Sequence, residues 1–193
     1  MGKKKIVGIF IAIVVLIVIA ACVVVVYFAK RDVEVAENEL QQAIEKYGVV
    51  GEETVNTMIA KFNAEIMDGG LKTPIADSSM IIDNDLYWYA ITENISCYVR
   101  PVEFTGDNKK DVVDTFSLYF DIEGYKEETA VNYFKKLIKA NKADLTEQEI
   151  DKLVEDAKAN ITSDQMTNHG QGISVAIVQL DNHYEYQVVR LYQ

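Results

Sequence analysis

Thr115-Phe116-Ser117-Leu118-Tyr119-Phe120-Asp121-Ile122 alternates cleanly, with Phe116, Leu118, Phe120 and Ile122 on one phase and Thr115, Ser117, Tyr119 and Asp121 on the other. Period-two patterning of this kind predicts a β-strand with one face turned to a core and the other turned away from it. Such a strand needs neighbours, and the flanking sequence supplies them. Upstream, residues 86–92 (Leu-Tyr-Trp-Tyr-Ala-Ile-Thr) and 95–99 (Ile-Ser-Cys-Tyr-Val) are dense in aromatic and β-branched residues and are separated only by Glu93-Asn94. That pattern predicts an antiparallel hairpin. Pro101 then limits where the second strand pairs, because proline has no N–H for a ladder. Downstream, residues 173–180 and 184–192 flank Asp181-Asn182-His183 and predict a second, carboxy-terminal hairpin. A further short strand fits residues 80–82.

Helical spacing appears between these runs. Val55, Ile59, Phe62 and Ile66 share a stripe over 52–67, which opens on acids and stops at Gly69-Gly70. Val131, Phe134, Leu137 and Ile138 mark a helix over 126–141, and Ile150, Leu153, Val154 and Ala157 mark another over 147–159. The latter begins with Thr146-Glu147-Gln148-Glu149, a capping box in which the threonine and the glutamate three residues on exchange hydrogen bonds with backbone N–H groups. Val33, Ala36, Leu40, Ala43, Ile44 and Tyr47 predict one more amphipathic helix, so that 33–68 reads as a helical stalk or hairpin. The order is ααβββααββ. Adjacent strands without single alternating helices favour an α+β domain, with an antiparallel sheet of about five strands and helices on one face.

The amino terminus is of another kind. Residues 6–29 form 24 consecutive uncharged, almost wholly apolar residues, a helix of about 36 Å against a hydrocarbon core of about 30 Å. The expected organisation is a short cytoplasmic tail over 1–5, a transmembrane signal anchor over 6–29 and one extracytoplasmic domain over 30–193. Lys3, Lys4 and Lys5, together with the terminal amine, slightly outnumber Lys30 and Arg31, which keeps the tail inside. Ile19-Ala20-Ala21-Cys22 also matches the loose pattern of a lipoprotein signal, the alternative in which the chain is cut and lipidated at Cys22. Against it, Val23 to Val26 would then leave the bilayer as an apolar tether in water. The charged start and long apolar helix share an outline with type IV pilin-like subunits. The chain has Gly8-Ile9-Phe10 but no acid five residues into the helix, and no family is recognised from these residues.

Of 19 basic residues five lie in residues 1–31, leaving 14 against 30 acids, a net charge of −16 for the remainder. So acidic a body is repelled by phosphate backbones, which argues against nucleic acid as a partner. Two cysteines, Cys22 and Cys97, exclude a disulfide scaffold, and Cys97 reads as a small buried strand residue. His169 and His183 both fall in expected turns, and no metal-ligand pair, phosphate loop, nucleophile elbow or dinucleotide glycine fingerprint occurs. Asp77, Asp83 and Asp85 gather three carboxylates in one loop region, a candidate site for a hard cation such as calcium, although no cofactor is expected. Asp121 and Glu123 are the candidate pair for carboxylate-dependent hydrolysis, which requires an apolar cleft that raises one pKa.

The most unusual feature is aromatic. Tyr87, Trp88, Tyr89, Tyr98, Tyr119, Tyr184, Tyr186 and Tyr192 all lie on expected strands. Tyr87, Trp88, Tyr89, Tyr119, Tyr184 and Tyr186 are the candidates for an outer patch that grips a peptide, a glycan or a partner protein. The expected function is therefore a non-catalytic, single-pass envelope protein that binds or scaffolds a partner, and the alternative is an anchored hydrolase. Mass spectrometry of the mature amino terminus separates the two anchors. An intact start with Lys3 to Lys5 is expected, and diacylglycerol on an amino-terminal Cys22 overturns the transmembrane reading.

Overall fold

The alternating stretch becomes β4 (Val113–Asp121), the middle strand of an antiparallel sheet. The computed structural model describes residues 50–71, 80–161, 168–170 and 172–192. The anchor segment, the helix expected over 33–47, Cys22 and Asp77 lie outside these residues. Among the described residues no helix is long and apolar enough to cross a membrane.

The domain is α+β. Helix α1 (Val55–Asp68) leads to β1 (Ile81–Asp83), β2 (Leu86–Thr92), β3 (Ile95–Pro101) and β4. A 3-10 turn (Ile122–Gly124) follows, then α2 (Glu127–Asn141), α3 (Glu147–Ala159), β5 (Asn168–Gly170), β6 (Ile173–Gln179) and β7 (His183–Arg190). The strands pair in the order β1-β2-β3-β4-β7-β6-β5, every neighbour antiparallel. The expectation of about five strands holds for the long ones. Two three-residue edge strands complete the sheet, and of these β5 carries no sequence pattern that announces it.

Each element has a local cause. Helix α1 starts at Val55 because the Thr54 hydroxyl accepts the N–H of Thr57, so Glu52 and Glu53 precede the cap and do not form the acidic first turn expected from sequence. The Thr146–Glu149 capping box forms at the head of α3. Asn84 and Asp85, both at positive φ (49° and 60°), make the two-residue turn between β1 and β2 that suits the twist of a hairpin. Pro101 sits where the β3–β4 register shifts, at the irregularity that excuses its missing donor.

Phe116, Leu118 and Phe120 of β4 face the helices and join one cluster with Phe62 of α1, Phe134 and Leu137 of α2, Ile150 and Val154 of α3, and Tyr186 of β7. Phe62 meets Phe116 edge-on at 5.2 Å between centroids, and Phe134 meets Tyr186 in the same way at 5.1 Å. Cys97 lies inside this cluster as a buried thiol whose burial raises its pKa, which is the inert state expected of it.

A buried cation closes one end of the sheet. Arg190, only 4% exposed, ends β7 and donates to Gly51 O (2.7 Å), Asn141 Oδ1 (2.9 Å), Asn141 O (3.3 Å) and the Tyr192 hydroxyl (3.0 Å). No carboxylate among the described residues pairs with it. Its charge is met by neutral oxygens at the negative, carboxy-terminal end of α2, and in return it ties α2, β7 and the chain at residue 51 together. Replacing it leaves those acceptors dry. Arg190→Ala is expected to lower stability by about 3–5 kcal/mol, since each buried acceptor left unpaired costs about 1–3 kcal/mol. Chemical denaturation of the full chain measures this, and a loss below about 1 kcal/mol, the level of an exposed contact, removes Arg190 from its structural role.

Candidate functional site

The strand alternation that sends Phe116, Leu118 and Phe120 under the helices sends Thr115, Ser117 and Tyr119 to the opposite face of the sheet. None of the described helices packs there. Cross-strand pairing extends this second face in rows. Ser117 is paired to Tyr98, Tyr98 to Trp88 and Trp88 to Ile81; one row on, Tyr119 is paired to Ser96 and to Glu185. The face is covered unevenly: on β6, Ala176 and Val178 are buried yet stand apart from the core cluster, whereas Ala90 and Ile81 at the other end are exposed.

Four rings meet on it. Trp88 lies 4.9 Å from Tyr98 and 6.2 Å from Tyr119, measured between centroids, and Tyr119 stacks on His183 at 4.2 Å and 21°. A polar network holds them from β7. Glu185 accepts the Tyr98 hydroxyl (3.0 Å) and Gln187 Nε2 (2.7 Å), and its other oxygen lies 3.1 Å from His183 Nε2. His183 Nδ1 lies 2.7 Å from Asn182 Oδ1. Burial, with the adjacent Glu185 carboxylate, pushes the Tyr98 hydroxyl up to about 12, so it stays a neutral donor at any physiological pH. Burial likewise raises Tyr119, helped by Asp121 and Glu185.

The six aromatic candidates therefore divide. Trp88 and Tyr119 lie on the second face. Tyr87, Tyr89 and Tyr186 do not: they are at most 2% exposed, in the core beneath the helices. Tyr184 also faces the helix side, stacked on Tyr125 at 4.1 Å. The ring set is completed by Tyr98 and by His183, which opens β7 instead of lying in a free turn.

A bulge causes the difference. A two-residue turn at Glu93-Asn94 alone would continue the Thr92–Ile95 register and set Trp88 opposite Val99, in the core. The irregularity between Ala90 and Thr92 shifts the pairing to Ala90–Ser96 and Trp88–Tyr98. Trp88 thereby turns outward, and Tyr87 and Tyr89 turn inward.

The acidic candidates have other roles. Asp83 ends β1 and Asp85 lies within the β1–β2 turn, and among the described residues no three His, Cys, Asp or Glu side chains are grouped to hold a metal. Asp121 ends β4 and Glu123 is exposed on the 3-10 turn; the hollow beside them, formed by Asn94, Phe120, Gly124 and Lys126 among others, has no carboxylate in its lining. Acids converge elsewhere, where Glu52, Glu103 and Asp111 share a hollow of about 300 Å³ with Lys110 and Tyr192. Its buried member is a structural anion. Asp111, 2% exposed, accepts from Tyr87 Oη (2.6 Å), Thr105 N (2.9 Å) and Gly106 N (3.2 Å), and from the Thr105 hydroxyl. Burial works to raise its carboxyl, but these donors outweigh burial and hold it below the ordinary carboxylate range. A general acid needs the opposite shift.

Comparison with known proteins gives no match: no family model fits the sequence, and no curated protein or solved structure is significantly similar to it.

Because its pKa is lowered on folding, Asp111 contributes stability that is full above the unfolded value of about 3.9 and is lost as pH falls through the native value. Asp111→Asn is expected to cost about 1–3 kcal/mol at neutral pH and to flatten the fall in stability below about pH 4. Denaturant midpoints across pH 2–7 measure it, and a variant with the same acid limb as the parent chain overturns the assignment.

Proposed function

We propose that this chain is a non-catalytic, membrane-anchored protein of the cell envelope that carries its α+β domain outside the cytoplasm on the segment 6–29. On this reading the domain binds or scaffolds a protein, peptide or glycan partner through the face of the sheet opposite the described helices, at its β1–β3 end.

The observation that carries the reading is the ring group Trp88, Tyr98, Tyr119 and His183, held in place by Glu185 and Gln187. Rings fixed by mutual packing, with Tyr98 and His183 also hydrogen-bonded, lose little conformational entropy on contact, and aromatic residues dominate the energetics of protein interfaces. Catalysis has less support: the one buried acid of the acidic hollow is fully engaged by donors and shifted away from general-acid use.

Capture of the full-length protein from its own membranes, after cross-linking, tests the reading. Trp88→Ala and Tyr119→Ala are each expected to reduce recovery of the partner by roughly tenfold or more, the range of an interface hot spot, while thermal unfolding stays near that of the parent. Equal recovery with both variants overturns the assignment of this face.

A further inference from the structure

We propose that the hollow beside Trp88 seats a cationic side chain, lysine or arginine, of a basic polypeptide partner. This rests on the reading of that sheet face as the binding surface and adds the chemistry of what it binds.

The hollow, of about 320 Å³, is lined by Ile81, Asp83, Trp88, Tyr89, Ala90 and Ser96. It arises from register. Ala90 and Ser96 are cross-strand partners in the row next to Trp88 and Tyr98, so two small residues adjoin the larger Trp88 side chain on this face. Ile81, paired to Trp88 and 65% exposed, forms the outer wall, and Asp83 brings a carboxylate.

An indole face beside a carboxylate is the combination that recognises a cation on an apolar stem: the ring quadrupole attracts the charge, the hollow takes the methylenes and the carboxylate completes the pairing. Among the described residues, the cation that β3 places on this face is engaged elsewhere. Arg100 is held by Asp114 at 3.0 and 3.1 Å and by the Thr115 hydroxyl at 2.8 Å. Long-range charge selects in the same direction, since residues 32–193 carry a net −16. That field draws in a basic chain, repels an acidic one and does nothing for a neutral sugar. A glycan platform also needs several polar groups around its ring, and here the lining offers only the Asp83 and Ser96 side chains.

Trp88 is the only tryptophan in the chain, so its fluorescence reports on this hollow alone. The test titrates the full-length protein in detergent with hexa-arginine, hexaglutamine and cellohexaose. Ser96→Leu fills the hollow, Ala90→Leu fills it from the neighbouring strand if the first variant does not fold, and Asp83→Asn removes the carboxylate. Hexa-arginine is expected to produce a saturable change in Trp88 emission, weakened roughly fivefold in Asp83→Asn, abolished by filling the hollow and reduced by salt. Hexa-arginine acting no better than hexaglutamine, or acting equally on the filled variant, overturns the proposal. A saturable response to cellohexaose or hexaglutamine that the filled variant loses keeps the face as a binding surface and overturns only its cation chemistry. No response to any probe, with partner recovery indifferent to Trp88→Ala, overturns both.

Discussion

The side-chain alternation of β4 is the constraint on which the rest of the domain depends. β4 lies at the centre of the strand order, so the β2–β3 hairpin on one side and the β6–β7 hairpin on the other both take their phase from it. Phe116, Leu118 and Phe120 are at most 2% exposed beneath the helices. At about 1.5–3 kcal/mol for each buried apolar side chain, a slip of one residue would forfeit an amount comparable to the whole stability of a domain, about 5–15 kcal/mol. The phase is therefore not negotiable, and Tyr119 is placed on the second face as a consequence of where its neighbours must go.

Two buried charges, Arg190 and Asp111, secure the stretch through which the chain enters the domain. Each is satisfied by neutral partners and not by an opposite charge, which avoids the demanding geometry of a buried ion pair. Arg190 grips the carbonyl of Gly51 while Val50 N–H donates to Leu191 O at 2.9 Å. Asp111 organises the loop 105–111, whose backbone accepts from Val55 N and Asn56 N, and the Val113 N–H donates to Glu53 O. Residues 50–56 are thus fastened at two points, to the end of β7 and to the loop before β4. The removal of either charged group would loosen an element far from it in sequence.

The parts of this architecture legible in the sequence are those with local causes. The alternation of β4, the two hairpins and the Thr146–Glu149 capping box each declare themselves within a few residues, and all appear in the structure close to where they were expected. The ring face was only half legible, because Leu86-Tyr87-Trp88-Tyr89-Ala90-Ile91 has aromatics on both phases and a bulge decides which phase faces out. Nothing in that stretch marks the bulge; it answers the demand of β3 that Ile95, Cys97 and Val99 lie in the core. Arg190, Asp111 and His183 were obscure for a related reason. Their partners are remote in sequence, as with Arg190 and Gly51 or Asp111 and Tyr87, and a charged or imidazole side chain shows nothing of its burial until the fold brings those partners to it.

The acid surplus and the aromatic face act together. An exposed Ile81 beside a half-buried Trp88 on a sheet would ordinarily invite a second copy of the same chain, face to face. Here each copy brings a net −16 in residues 32–193, so that approach pays an electrostatic penalty that a basic partner does not. On the proposed reading, a charge that opposes the approach of identical domains favours a chain of opposite sign. The network around the rings lends rigidity, for Glu185 is engaged by its donors Tyr98 and Gln187 and holds the Tyr98 ring from β7. The separation of roles follows from strand position: Glu185 on β7 orders the rings, and Asp83, at the edge beside the hollow, is the acid that the proposed reading assigns to an incoming cation.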